Sequence, residues 1–75
     1  MPRIVAEVVG GDCRVIIESS GCVKVESLLE EIASKCDLKP EYNILLAVSQ
    51  GRTLGGNEDI CRDMEVEIVK ALKGG

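Results

Sequence analysis

The sequence predicts an α+β domain in which a mixed sheet of four to five strands packs on a single helix. Three observations carry this. Residues 4–18 show a strand-like alternation on either side of a Gly-Gly-Asp turn, imperfect because Val5 and Val9 are apolar on the nominally outer face. Residues 26–36 carry one apolar stripe at helical spacing. Later segments return to strand-like patterns, with alternation or short continuous apolar runs. Seventy-five residues are enough for one domain with a small core. Residues 1–70 are expected to form the folded body and residues 71–75 a flexible tail.

The elements follow in order. In residues 4–9, Ile4, Ala6 and Val8 form one face, while Arg3, Val5, Glu7 and Val9 form the other. Gly10 and Gly11 both tolerate positive φ and suit a tight turn. The return strand, residues 13–18, places Cys13, Val15 and Ile17 on one face and Arg14, Ile16 and Glu18 on the other. Together these segments read as a β-hairpin. Residues 22–25 are a connector with room for some extended pairing.

A helix is expected over about 26–36, with Leu28, Leu29, Ile32, Ala33 and Cys36 on its apolar side. Ser27 and Glu30 match a capping box, and a start two residues earlier would use Val25 as an apolar anchor. Leu38 is expected to plug the core past the helix, and Pro40 to prevent its continuation. Ile44, Leu45, Leu46, Ala47 and Val48 form a near-continuous apolar run. Such a run belongs either to a strand with little exposure or to one that gives a face to a partner. Gln50-Gly51 reads as a turn, residues 52–54 as a short strand, and Ile60 as a core anchor. The last strand is expected from Glu65 to about Lys70, with Val66 and Ile68 on one face.

One helix with one apolar stripe covers one face of one sheet. If the last strand lies parallel to the first, the connection is a right-handed crossover, and the arrangement is the β-grasp.

Composition narrows the function. The chain is 45% hydrophobic, yet Tyr42 is its only aromatic residue, so the core must be aliphatic. The formal net charge of −4 gives no basic footprint for nucleic acid. The lack of aromatics removes any base-stacking platform. The first residues show no signal-peptide pattern, and no stretch is long and apolar enough to span a bilayer. A cytoplasmic, monomeric protein without nucleic-acid or membrane partners is expected.

The four cysteines are Cys13, Cys22, Cys36 and Cys61, and there is no histidine. No closely spaced pair suggests zinc. A cytosolic location argues against a disulfide framework. The expected state is four reduced thiols serving as small hydrophobes. Glu26, Glu30 and Glu31 lie near the helix start, where the macrodipole favours carboxylates, and are not read as an acid–base pair. No phosphate-loop motif is present.

The chain ends Ala71-Leu72-Lys73-Gly74-Gly75. The stretch from Asp63 to Gly75 resembles the C-terminus of the prokaryotic sulfur carriers, namely the thiamine-pathway carrier and the small subunit of molybdopterin synthase. In both, an acidic turn, an alternating aliphatic strand and Gly-Gly follow one another. Val25-Glu26-Ser27-Leu28-Leu29 resembles that family's helix start. Gly51-Arg52-Thr53-Leu54 is similar to a short segment of ubiquitin. The proline-containing segment that precedes Gly-Gly in molybdopterin-synthase subunits is absent, and only Lys70 and Lys73 are basic near the end. The chain fits best among small prokaryotic ubiquitin-like proteins.

The resemblance implies a mechanism. An E1-like enzyme would use ATP to adenylate the Gly75 carboxylate. The adenylate would then become a thiocarboxylate, for exchange with sulfur donor and acceptor enzymes, or an isopeptide on target-protein lysines. The carrier would bind no cofactor and perform no catalysis. Gly75 presents no side chain to an attacking group, and Gly74 suits a narrow channel. Leu72 and Lys73 are expected to contact the activating enzyme. Val5, Ile16 and Val69 are expected on the outer sheet face as a docking patch.

Two other functions occur on a β-grasp fold. A non-covalent β-grasp interaction module would not need the terminal glycines. A plant-type ferredoxin would need a cysteine spacing that this chain lacks.

Overall fold

The computed structural model describes residues 1–39, 41 and 43–72. Pro40 and Tyr42 lie outside them, and so does the expected role of Pro40 as a helix stop. The elements run β1 (Arg3–Val8), β2 (Arg14–Glu18), β3 (Val23–Lys24), α1 (Val25–Lys35), β4 (Asn43–Ser49), β5 (Arg52–Leu54), β6 (Asp59–Ile60) and β7 (Met64–Leu72). Five strands form the main sheet in the order β2-β1-β7-β4-β5, and β3 pairs with β6 in a separate two-stranded ladder. β7 lies between β1, to which it is parallel, and β4, to which it is antiparallel. This is the β-grasp arrangement expected from the element order.

Strand parity sets the core. Ile4, Ala6 and Val8 are buried on β1, Val15 on β2, Ala47 on β4 and Val66 and Ile68 on β7. From the other side α1 contributes Val25, Leu28 and Ile32, while Leu54 and Ile60 close the margins. These positions of α1 follow the i, i+3, i+7 spacing of a helix face. No polar or charged side chain is buried among the described residues.

The hairpin is looser than the sequence suggested. Gly10 has φ of +80°, but Gly11 does not enter the positive-φ region. Residues 9–13 connect the strands, and Val8 N–H donates to the Cys13 carbonyl. The β4–β5 turn is the tight one: Ser49 pairs with Arg52, and Gln50 and Gly51 between them both have positive φ. That backbone matches strand twist in two-residue hairpins.

The helix begins at Val25, so the Ser27–Glu30 capping box does not form. Lys24 is the N-cap and supplies no side-chain cap. Instead, Val25 N–H donates to the Glu58 carbonyl and Glu26 N–H to the Gly56 carbonyl, at 2.9 and 3.0 Å. A loop distant in sequence thus satisfies donors that every helix leaves open. At the other end Asp37 takes φ of +54°, and Leu38 N–H reaches the Ala33 carbonyl. This is a Schellman-type stop, and it leaves Leu38 packed against the core as expected.

The cysteines are not free thiols. Cys13 bonds Cys36, and Cys22 bonds Cys61. The expectation of reduced thiols rested on compartment alone, and the fold overturns it by bringing distant cysteines together. The first disulfide ties the β1–β2 connection to the helix C-cap, and the second flanks the β3–β6 ladder. Their separations of 23 and 39 residues give about 3–4 kcal/mol each from restricting the unfolded chain, in the loop-entropy account. In a domain this small, that is a substantial addition to the core.

The loop that caps α1 is braced by Glu58. Its carboxylate accepts from the Arg52 guanidinium at 3.0 and 3.3 Å and from Gly55 N–H at 2.6 Å. The Arg52 hydrogen bonds, then that of Gly55, hold the Glu58 carboxyl below the usual carboxylate range.

Two outcomes are expected. Ile32→Ala empties the centre of the helix–sheet contact and should cost about 2–5 kcal/mol in denaturant unfolding. The exposed Ile44→Ala should stay within about 0.5 kcal/mol. Equal losses would contradict the assigned core. The second concerns pH. A carboxyl with a depressed folded pKa stabilises above its unfolded value, about 4.3 for Glu, and that contribution is lost as pH falls through the folded value. The Tm deficit of Glu58→Gln against the parent should therefore be present near neutrality and shrink on acidification. A constant deficit would show that Glu58 acts through packing.

Candidate functional site

β7 organises the candidate site. Val66 and Ile68 anchor its inner face with essentially no exposure, and it is hydrogen-bonded on both edges. Pairing with β4 continues through Ile44–Ala71 to Asn43–Leu72. The strand therefore runs two residues past Lys70, into the segment expected as tail. Asn43 is itself fixed, with its N–H and its Nδ2 both donating to the Lys39 carbonyl. Lys73, Gly74 and Gly75 lie outside the described residues. Leu72 is 85% exposed. By strand alternation it faces away from the side of the sheet that carries Val69.

The outer face does not group Val5, Ile16 and Val69 into one patch. Val5 sits directly opposite Ile16 on β2, and its neighbour on β7 is Glu65. The next row is charged on β2, β1 and β7, where Arg14 opposes Glu7 and Glu7 lies beside Glu67, and it ends in Val48 on β4, opposite Glu67. Val69 falls beyond that row, opposite Leu46 on β4. Ile44 follows, opposite Ala71. Leu46 and Ile44 are 41% and 45% exposed. Val9 N–H donates to the Ile68 carbonyl, so this exposed residue also lies at the Val69 end of the sheet.

Two apolar groups result. Val5 and Ile16 form a small one beside an open, largely charged concavity of about 1000 Å³. Val69, Leu46, Ile44 and Val9 form a larger one, on the strand that leads into the C-terminal residues. Ile44 and Leu46 were absent from the expected patch, although the apolar run 44–48 held the signal. Alternation through a run with Ala47 buried must leave Leu46 and Ile44 on the opposite face. Only the β4–β7 register shows that Leu46 meets Val69.

Among the described residues, no group of three or more His, Cys, Asp or Glu side chains is placed to hold a metal ion. No helix there is long and apolar enough to cross a membrane.

No family profile matches the chain, and no curated protein does. Among solved structures it is similar to one described as Caldiarchaeum subterraneum ubiquitin. The identity is 18%, the match covers 97% of this chain and 96% of that one, and the TM-score is 0.75. A second structure is described as a ubiquitin-like protein from the hyperthermophilic archaeon Caldiarchaeum subterraneum. It matches at 18% identity over 99% and 96% of the two chains, with a TM-score of 0.43, which adds nothing to the comparison. At such identities the likeness speaks for architecture alone. Strand order, a single covering helix and the first of these structures agree: the chain has the ubiquitin-like β-grasp fold.

Proposed function

We propose that the chain is a ubiquitin-like carrier or modifier whose reactive group is the carboxylate of Gly75. An E1-like enzyme binds it with ATP. A carboxylate oxygen attacks the α-phosphorus, pyrophosphate leaves, and an acyl-adenylate forms. A sulfur nucleophile or a target lysine amine then attacks the acyl carbon and releases AMP, giving a thiocarboxylate or an isopeptide. The chain is a co-substrate in this chemistry and supplies no catalytic group. Sulfur donor and acceptor enzymes, or target proteins bearing lysines, are its further partners.

The observation that carries the reading is the course of β7. The strand is held on both edges as far as Ile68 and by β4 from there to Leu72, and Lys73, Gly74 and Gly75 follow it directly in sequence. A rigid strand fixes where a short glycine-ended segment begins, and an enzyme that must position one carboxylate needs that. The apolar group of Val69, Leu46 and Ile44 on the same strand pair gives a partner a place to dock. Leu72 and Lys73 serve as the contacts nearest the activated end. A sulfur carrier and a modifier share every step through the adenylate.

Deletion of Gly74 and Gly75 should abolish ATP-dependent transfer and leave the circular dichroism spectrum and Tm unchanged. Retained function after the deletion would instead identify a non-covalent interaction module. Leu46→Asp or Val69→Asp should weaken binding of the activating enzyme by roughly ten- to a hundredfold with the fold intact by circular dichroism. Ile16→Asp, across the charged row, should bind as the parent does. Equal effects at Ile16 and Leu46 would contradict the division of the outer face.

A further inference from the structure

The two disulfides differ in how a reagent can reach them. Cys13 and Cys36 are half-buried and pack against the core, whereas Cys22 and Cys61 are both exposed. Beside Cys61 lies a cleft of about 270 Å³, with Val25, Leu54, Ile60 and Met64 among its walls. It offers room for an incoming side chain next to the bond. Thiol–disulfide exchange depends on access to the attacked sulfur, so the two bonds are not equivalent targets.

They also hold different things. Cys13–Cys36 joins the hairpin connection to the helix end. Cys22–Cys61 flanks a ladder of two pairs, Val23–Ile60 and Lys24–Asp59. Antiparallel pairing this short has little stability of its own. Next to the ladder, the carbonyls of Glu58 and Gly56 accept from the first two helical N–H groups. The helix start has no side-chain cap to replace them.

We propose that Cys22–Cys61 is a redox-addressable clasp on the start of α1, opened by a dithiol reductant while Cys13–Cys36 stays closed. One thiolate of the reductant attacks a sulfur of the Cys22–Cys61 bond. A mixed disulfide forms, and the other cysteine leaves as a thiolate that takes up a proton. The second thiolate of the reductant then attacks the mixed disulfide. It closes the reductant's own disulfide and returns the remaining cysteine as a thiol. Two electrons pass from the dithiol to the protein. Opening leaves loop 55–61 held on the β3 side only by the two-pair ladder and the buried Ile60; the Gly56 and Glu58 carbonyls ahead of that anchor then withdraw, so the first turn of α1 frays. The sheet is unaffected, because its order and its buried residues do not pass through this bond.

The test is a dithiothreitol titration of the folded protein. Alkylation and peptide mapping follow each cysteine, and hydrogen exchange is read on matched samples. Cys22 and Cys61 should become alkylated at least roughly tenfold faster than Cys13 and Cys36. The Val25 and Glu26 amides should lose protection at that step while β1 and β7 amides keep theirs. The double variant Cys22→Ser/Cys61→Ser should show the same exchange pattern without reductant, and the titration decides the matter if that variant fails to fold. Opening of both bonds at one rate, opening of Cys13–Cys36 first, or unchanged protection at Val25 and Glu26 would each overturn the proposal.

Discussion

A single apolar stripe, Val25–Leu28–Ile32, holds this molecule together by covering one face of a five-stranded sheet. Everything else follows from how little it can cover. The buried residues described are aliphatic, the chain is short, and the helix spans only 11 residues. The stripe cannot shield both faces of the sheet, so the outer face meets solvent with whatever its strands place there. Nor is the helix start secured by its own sequence, since Lys24 does not cap it. The loop carbonyls of Gly56 and Glu58, the Arg52–Glu58 pair and the two disulfides compensate for that small contact.

Much of the fold was legible in the sequence because it is set by local periodicity. The faces of the hairpin, the helix with its stripe, the Gln50-Gly51 turn and the inner face of the last strand need only parity and turn chemistry, whereas the place of that strand in the sheet was legible only as a condition. The features that were not legible are tertiary. Ser27 and Glu30 match a capping box by spacing, but Val25 N–H finds a carbonyl more than 30 residues away in sequence, and the helix starts early. Spacing alone does not pair Cys13 with Cys36 or Cys22 with Cys61, and the expected compartment pointed to free thiols. The geometry of the fold carries more weight than that expectation.

The candidate site divides in the same way. Val69 was identifiable from strand parity, and so was the outward direction of Val5 and Ile16. Their separation by Arg14, Glu7 and Glu67 depends on the stagger between β1 and β7, which no single strand encodes. Leu46 joins Val69 through the β4–β7 register for the same reason. The result is a molecule with distinct sides. The helix face buries the core, and the charged row divides the outer face. The larger apolar group shares β7 with the residues that lead to Gly74 and Gly75. Such an arrangement suits a protein that is handled by its surface and reacts at its end.

That account stands on the chemical fate of one carboxylate. Intact-mass spectrometry of the protein isolated from its own cells, with peptide mapping of its conjugates, examines that fate directly. The account predicts either a gain of about 16 Da at Gly75, oxygen replaced by sulfur, or a Gly-Gly remnant on lysines of other proteins. An unmodified Gly75 throughout, with no conjugates while the proposed pathway is active, would contradict it.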